Sequence, residues 1–347
     1  WFFFFLRYPF NLYLASTGWR GGANFGYPRQ LGIGATIAIG IWQLWMVRAQ
    51  IKRIWAKDDG NANDNKEWMS LRGAFRGFVV SLCLLTTFFL VFLQVSLVHT
   101  LLYLMIFFLA MIGLARIRSE AGLGCQAGIG DRFVIYHMGP GLGSKMLPTN
   151  DLAGLTFLTM VGDQARAIGS MGTGLESMKF FEERKDPNGG RKLLWALVAM
   201  FAFGMLAESI VAVYYGYRDG LATWGTRPNY FANGWNAVIS SATGRYTRPQ
   251  TNLMAALLAG GGIALVLSYL RTKFVWWPLH PLGIVGANTQ MGWTFPIPFF
   301  VAWLIKFFTM RYGGNRLVNH LKPFFQGMII GQLTLQAVCT ILLTIVK

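Results

Sequence analysis

Few side chains in this sequence are equipped for chemistry, and four of them sit where charge is hard to place. Glu208 lies inside LLWALVAMFAFGMLAESIVAVY (193–214), a run apolar enough to cross a bilayer. A carboxylate at that depth is costly and ordinarily faces a cavity or a partner, which makes it a candidate for an ion or proton path. The competing reading is that GMLAES lies shallower and the carboxylate simply reaches the outer interface. Arg118 and Glu120 close another apolar run, and Gly122, Gly124, Gly128 and Gly130 follow. Broken helices with bare backbone groups bind ions and anionic solutes in many secondary transporters. Such backbone is tolerated at membrane depth only beside a cavity or inside protein. A glycine-rich cytoplasmic loop accounts for the same residues equally well.

The fourth is His280, in FVWWPLHPLG (274–283). Pro278 and Pro281 each remove a backbone donor and disfavour helix before them, so this stretch reads as a structural joint. Trp276 and Trp277 suit a membrane interface, with the indole N–H in reach of polar partners. Gly283 ends the element. His280 between the prolines is read first as a shape-holder that donates to a carbonyl freed by the kink, and second as a proton or substrate group.

Other chemistries lack their residues. The four histidines (His99, His137, His280, His320) are far apart and have no acidic neighbours at ligand spacing, so no metal is expected. Cys83, Cys125 and Cys339 form no CxxC or CxxCH, and no cofactor is expected. The segment GPGLGSK (139–145) lacks phosphate-loop spacing. No GxSxG, HExxH or Ser-His-Asp pattern is present, and Asp131 and Asp163 have nothing local to pair them, so the chain is not read as an enzyme.

The elements that must position these residues follow from composition. Of 347 residues 54% are hydrophobic and only 13% charged, with a mean hydropathy of +0.42. A soluble protein carries about 25% charged residues, and lipid is the natural place for the excess apolar surface. Phe (28), Trp (13) and Gly (41) match the aromatic girdles and close helix packing of polytopic helical proteins. The apolar runs are continuous, unlike the alternation of a membrane β-barrel. The net charge of +17 is spread over segments between apolar runs, as in cytoplasmic loops, without any nucleic-acid-binding signature.

The expected fold is therefore all-α: a polytopic transmembrane bundle of about seven to nine spans, with re-entrant or broken helices. It reads as one membrane domain over 1–347. Residues 1–114 hold the N-terminal spans and a cytoplasmic loop at 48–76. Residues 115–192 are glycine-rich, then re-entrant or surface-bound, and 193–347 hold the C-terminal spans with an outer loop at 216–250. WFFFFLRYPF is no signal peptide and reads as the tail of an earlier membrane segment. Clear spans are 31–47, a hairpin of 77–94 and 97–114, then 193–214, 252–270, 293–310 and 324–346. Basic residues place 48–76 and 115 onward inside. Both ends of 151–178 then fall on one side, leaving a re-entrant helix, a surface helix or a packed bundle helix. The same bias favours a span or broken pair over a shallow dip at 275–291. Gly73–Gly77, Gly327–Gly331 and the triplet 260–262 are candidate sites of close helix contact.

RIRSEAGLG, RTKFVWWPLHPLG and RYGGNRLVNHLKPFFQGMIIGQ together resemble a prokaryotic family of uncharacterised polytopic membrane proteins, themselves remotely similar to oligopeptide transporters. The likeness covers most of residues 10–347. It rests on an arginine–acid–glycine element (Arg118, Glu120, Gly122), an aromatic-Pro-His-Pro element (Trp277 to Gly283) and a YGG step (Tyr312 to Gly314). It implies the C-terminal portion of a longer parent, and a secondary transporter, or part of one, for peptide-like or small organic solutes. The alternative is a non-catalytic membrane subunit of a larger complex. Membrane lipids, other membrane subunits, a missing N-terminal half or further copies of the chain are the partners this implies; nucleic acid is not among them.

Overall fold

The computed structural model describes residues 2–17, 27–55, 71–121, 189–219, 251–288 and 296–346, with isolated positions between 148 and 177 and position 239. The glycine-rich 122–130 segment, Asp131, Asp163 and the side chain of Glu208 lie outside the described residues, as do nearly all of 156–188 and of 220–250. What is described is an all-helical bundle. Its helices are α1 (Phe2–Ser16), α2 (Tyr27–Trp55), α3 (Leu71–Val91), α4 (Leu97–Ala121), α5 (Gly189–Asp219), α6 (Thr251–Lys273), α7 (Pro281–Asn288) and α8 (Pro296–Val346). Five segments among the described residues are long and apolar enough to cross a membrane: 30–49, 73–91, 97–120, 192–211 and 254–273. The chain divides into two compact units, residues 2–293 and residues 294–347.

The first unit is built around α2, which packs against α4, α6 and α7. Its middle is small: Ala35, Thr36 and Ala38 are buried, and Thr36 Oγ1 donates to the Gly32 carbonyl at 3.0 Å, so a polar residue costs the core nothing unpaired. Backbones touch directly here. A Cβ on Gly34 would fall 1.9 Å from the Leu257 carbonyl oxygen of α6, and one on Gly260 of α6 would fall 2.2 Å from the Leu31 oxygen. On the α4 side, Gly40 meets the Leu109 oxygen at 2.1 Å and Gly113 meets the Thr36 oxygen at 2.3 Å. Four glycines thus set helix spacing that no side chain permits.

These are not the glycines singled out by their GxxxG spacing. Among the described residues nothing lies within 4 Å of a Cβ placed on Gly77, Gly262, Gly327 or Gly331. Of the 260–262 triplet, Gly260 alone makes an approach that excludes a side chain. Spacing in sequence marks a helix face; only the partner decides whether that face is used.

The α3–α4 hairpin turns at 92–96. Gln94 takes a positive φ of 51°, and the Val95 N–H returns to the Phe89 carbonyl at 3.2 Å. Phe89 then meets Tyr103 edge-on at 5.9 Å across the hairpin, below the turn. Most of α3 lies open: 6% of its apolar window is buried, and none of the corresponding window of α5.

One reading of the chain's path is narrowed and another needs correction. Stretch 275–291 does not cross as one helix, because α7 has eight residues and a length of about 12 Å. It is short but buried at Pro281, Ile284, Val285, Gly286 and Ala287, against α2, α1 and α6. Residue 151, expected on the same side as the end of α4, instead touches Ser96 at the start of α4. Some 36 Å of helix separate Leu97 from Ala121, so residues 121 and 151 stand at opposite ends of α4.

The second unit is α8, two helical arms that meet at Gly314 with φ 56° and ψ −162°. That backbone is open in practice only to glycine. The described parts of the expected spans 293–310 and 324–346 lie in its two arms, neither of which is among the five segments above.

Candidate functional site

Helical register gathers the polar groups. Ile39, Trp42, Gln43 and Met46 share one face of α2; Arg116 and Glu120 share one of α4; Ser268, Arg271 and Thr272 share one of α6. Together with His280, Pro281 and Leu282 they line a cavity of about 340 Å³ within the first unit. Four separate stretches of chain, from residue 39 to residue 282, contribute to it.

The joint explains its polar wall. After α6 the chain turns, with the Trp277 N–H donating to the Phe274 carbonyl at 3.2 Å. Pro281 opens α7 at the first helical position, where its missing N–H is no loss. His280 is the residue before it and acts as the cap. Its Nδ1 accepts from the Leu282 N–H at 3.1 Å, and its carbonyl accepts from the Gly283 N–H at 3.0 Å. The expected donation to a freed carbonyl is therefore replaced by acceptance from a freed N–H. An Nδ1 that accepts leaves the proton on Nε2, and Nε2 lies 3.3 Å from Glu120 Oε2. One imidazole both caps α7 and addresses the carboxylate.

Glu120 is held from a second side by Arg116, one turn earlier on α4. Its side chain keeps 28% of its surface exposed, so it is reachable from the cavity. Arg271 contributes a further cation, and among the described residues it has neither a hydrogen-bond nor an ion-pair partner. Ser268 and Thr272 donate their hydroxyl protons to the Ala264 and Tyr269 carbonyls of their own helix, both at 2.7 Å, so only their lone pairs face the cavity. With Arg116 and Glu120 cancelling, the lining carries one net positive charge.

The far end of α7 is also fixed. Arg7, on α1, is 5% exposed, and its Nη1 donates to the Ala287 carbonyl at 3.0 Å. A guanidinium at a helix C-terminus satisfies an orphan carbonyl and opposes the helix dipole. Phe3, one turn earlier, lays its ring on Gly283, where a Cβ would approach to 2.4 Å. α7 is thus clamped at both termini. Trp277 packs on the core with its Nε1 buried and, among the described residues, without a hydrogen-bond partner, whereas Trp276 stays 73% exposed and Pro278 is exposed.

Of the four residues flagged by sequence, Glu120 and His280 meet in this cavity. Arg118, half-buried on α4, does not line it. Glu208 cannot be placed, since its side chain lies outside the described residues. Arg7, Arg116 and Arg271 were not flagged.

A second polar cluster, also missed, ties the other end of α4. Asp151 Oδ1 accepts from the Ser96 N–H at 2.9 Å, and Oδ2 accepts from the Ser96 hydroxyl at 2.6 Å and from His99 Nδ1 at 2.5 Å. Ser96 Oγ also lies 2.7 Å from His99 Nδ1. The residue types are those of a hydrolytic triad, but the wiring is not. Hydroxyl and carboxylate both address the same ring nitrogen, and the hydroxyl proton points at the carboxylate rather than at a base. The cluster is a cap: Ser96 precedes the first residue of α4, and Asp151 places a negative charge there.

Burial pushes the Asp151 carboxyl up, but the Ser96 hydroxyl, the Ser96 N–H and His99 more than offset it, leaving its pKa below the ordinary value. A depressed carboxyl contributes stability above the unfolded pKa of about 3.9 and loses it as pH falls through the folded value. Asp151→Asn should therefore lower the melting temperature at pH 7, by the equivalent of roughly 1–3 kcal/mol. The gap from wild type should narrow below about pH 4, read from melting curves in detergent across pH. A gap that stays constant down to acid would show that the carboxylate charge is not what the cap uses.

The fold and site together define a helical-bundle protein with a polar cavity at the C-terminal ends of α4 and α6. The chain belongs to the DUF6785 family, a family of unknown function, whose match covers residues 1–347. No curated protein and no solved structure matches it. Among the described residues no three His, Cys, Asp or Glu side chains cluster as metal ligands would.

Proposed function

We propose that this chain is an integral membrane protein of a prokaryotic inner membrane and forms a solute transporter, or the membrane half of one. The spans would number seven to nine, with α7 as a broken, re-entrant element. Five long apolar helices whose faces lie largely open support the membrane setting. The resemblance of RIRSEAGLG and WWPLHPLG to proteins akin to oligopeptide transporters points the same way. The carrying observation is the cavity in which Glu120 and His280 meet across a helix break.

The basic ends of α4 (Arg116, Arg118) and α6 (Arg271, Lys273) converge there, so by the positive-inside bias the cavity belongs to the cytoplasmic mouth rather than the midplane. Its net positive charge suits a small organic solute bearing one carboxylate, held by Arg271. Movement of α7 away from Glu120 would open the mouth.

Protein reconstituted in liposomes should take up a small carboxylate down an imposed gradient. Glu120→Gln and Arg271→Gln should each cut the initial rate roughly tenfold, the effect of losing one charged hydrogen bond. Normal uptake in both variants would remove the cavity from the pathway. A folded wild type that moves none of a broad panel of solutes would reject transport altogether.

A second reading, a non-catalytic subunit of a membrane complex, is favoured by α5. None of its apolar window is buried, and Trp195, Met200, Phe203 and Ile210 stand open. Mass measurement in mild detergent separates the two: co-purifying protein chains support this reading, and a lone monomer or homodimer counts against it.

A further inference from the structure

We infer that the second unit binds one anionic phospholipid in the groove between the arms of α8, with its phosphate at Lys306 and Lys322. The proposal rests on the membrane setting proposed above but not on transport.

The groove has a volume of about 780 Å³. Its polar lining is Lys306 and Thr309 on the first arm and Lys322 and Gln326 on the second; from Lys306 outward the first arm lines it with Ile297, Pro298, Val301, Ala302 and Ile305. Lys306 precedes Gly314 by eight residues and Lys322 follows it by eight, so both are attached about 12 Å along the helix from the break, one on each arm. Thr309 donates to Ile305 within its own helix, and neither lysine has a hydrogen-bond or ion-pair partner among the described residues.

Both lysines are exposed and line this largely apolar groove, where their charges favour an anion. This unit cannot supply it: residues 294–347 contain five Lys or Arg and no Asp or Glu. The anion must come from outside, and the shape of the groove says which kind. From Lys306 to Ile297 the wall runs about 14 Å, close to half of the roughly 30 Å hydrocarbon core. A headgroup phosphate at the lysine pair and an acyl chain along Val301, Ile297 and Ile329 fit that gradient from charged to apolar. Lysine stems snorkel along apolar surface while their heads reach phosphate, the arrangement by which basic side chains hold anionic lipids.

The test is native mass spectrometry of the full chain in detergent, titrated with mixed micelles of phosphatidylglycerol or phosphatidylcholine of equal chain length. One phosphatidylglycerol should be retained with a roughly thirtyfold preference over phosphatidylcholine, the expectation for two lysine–lipid contacts. The double variant Lys306→Gln/Lys322→Gln should lose the preference. Lys306→Arg/Lys322→Arg should keep it, as should Arg48→Gln/Lys52→Gln, which removes equal charge from the first unit. Equal retention of the two phospholipids overturns the proposal, and so does loss of the preference in the Arg48/Lys52 control. If oleate displaces phosphatidylglycerol at equal concentration, the ligand is a free fatty acid and the assignment to a phospholipid fails.

Discussion

Leucine in place of Gly34 is expected to abolish the folded protein in detergent extracts. The obstruction is backbone, since a Cβ at this position already falls 1.9 Å from the Leu257 carbonyl oxygen, and a carbonyl in mid-helix cannot rotate aside. α2 and α6 would have to separate along a contact that Gly260 and Leu31 reinforce one turn away. Separation also strips α2 from α7 and opens the cavity. The cost should reach about 3 kcal/mol or more, the upper end for overpacked cores. Gly331→Leu, where no described residue lies within 4 Å of the added Cβ, should stay within about 0.5 kcal/mol of wild type. Size-exclusion profiles and melting curves of the two variants make the comparison. Equal stability would mean that α2 and α6 do not approach as described.

Arg7→Met should also be costly, and in a way that reaches the cavity. Methionine fills much of the same space but leaves the Ala287 carbonyl without its 3.0 Å donor at a buried site. Loss of a charged hydrogen bond there is expected to cost roughly 1.5–3 kcal/mol. Because Arg7 holds one end of α7 and His280 caps the other beside Glu120, freeing one end should loosen the other. A double-mutant cycle of Arg7→Met with Glu120→Gln, read by thermal unfolding, should show a coupling of about 0.5 kcal/mol or more. Strict additivity would show that α7 does not transmit between its ends.

The helices were legible because each long run of apolar residues announces itself. The joint was legible for a different reason: two prolines around one histidine cannot continue a helix, and α6 does end before them while Pro281 opens α7. Glu120 was visible as a charge closing an apolar run. Its partner was not, because His280 lies 160 positions away and nothing local in either segment refers to the other. Arg7 read as an interruption of an aromatic stretch, although a guanidinium inside WFFFFLRYPF is the kind of residue that must find a carbonyl. Asp151 and His99 are separated by 52 residues, and the cap they share with Ser96 has no spacing signature. The GxxxG pairs failed for the complementary reason. Small residues permit contact, and at Gly77, Gly327 and Gly331 no helix among the described residues takes the opportunity.

The Arg7–Ala287 bond joins positions 280 residues apart, which sets an order on biogenesis. At about 5–20 residues per second, a ribosome needs roughly 14–56 s to deliver the carbonyl after the guanidinium has emerged. In the membrane setting proposed above, the arginine would rest for that interval at the headgroup layer, stretched toward water. α1 therefore behaves as a latch left ajar, closing over α7 after the bundle beneath it has been laid down, and a pause in synthesis before residue 287 would leave it exposed to quality-control proteases.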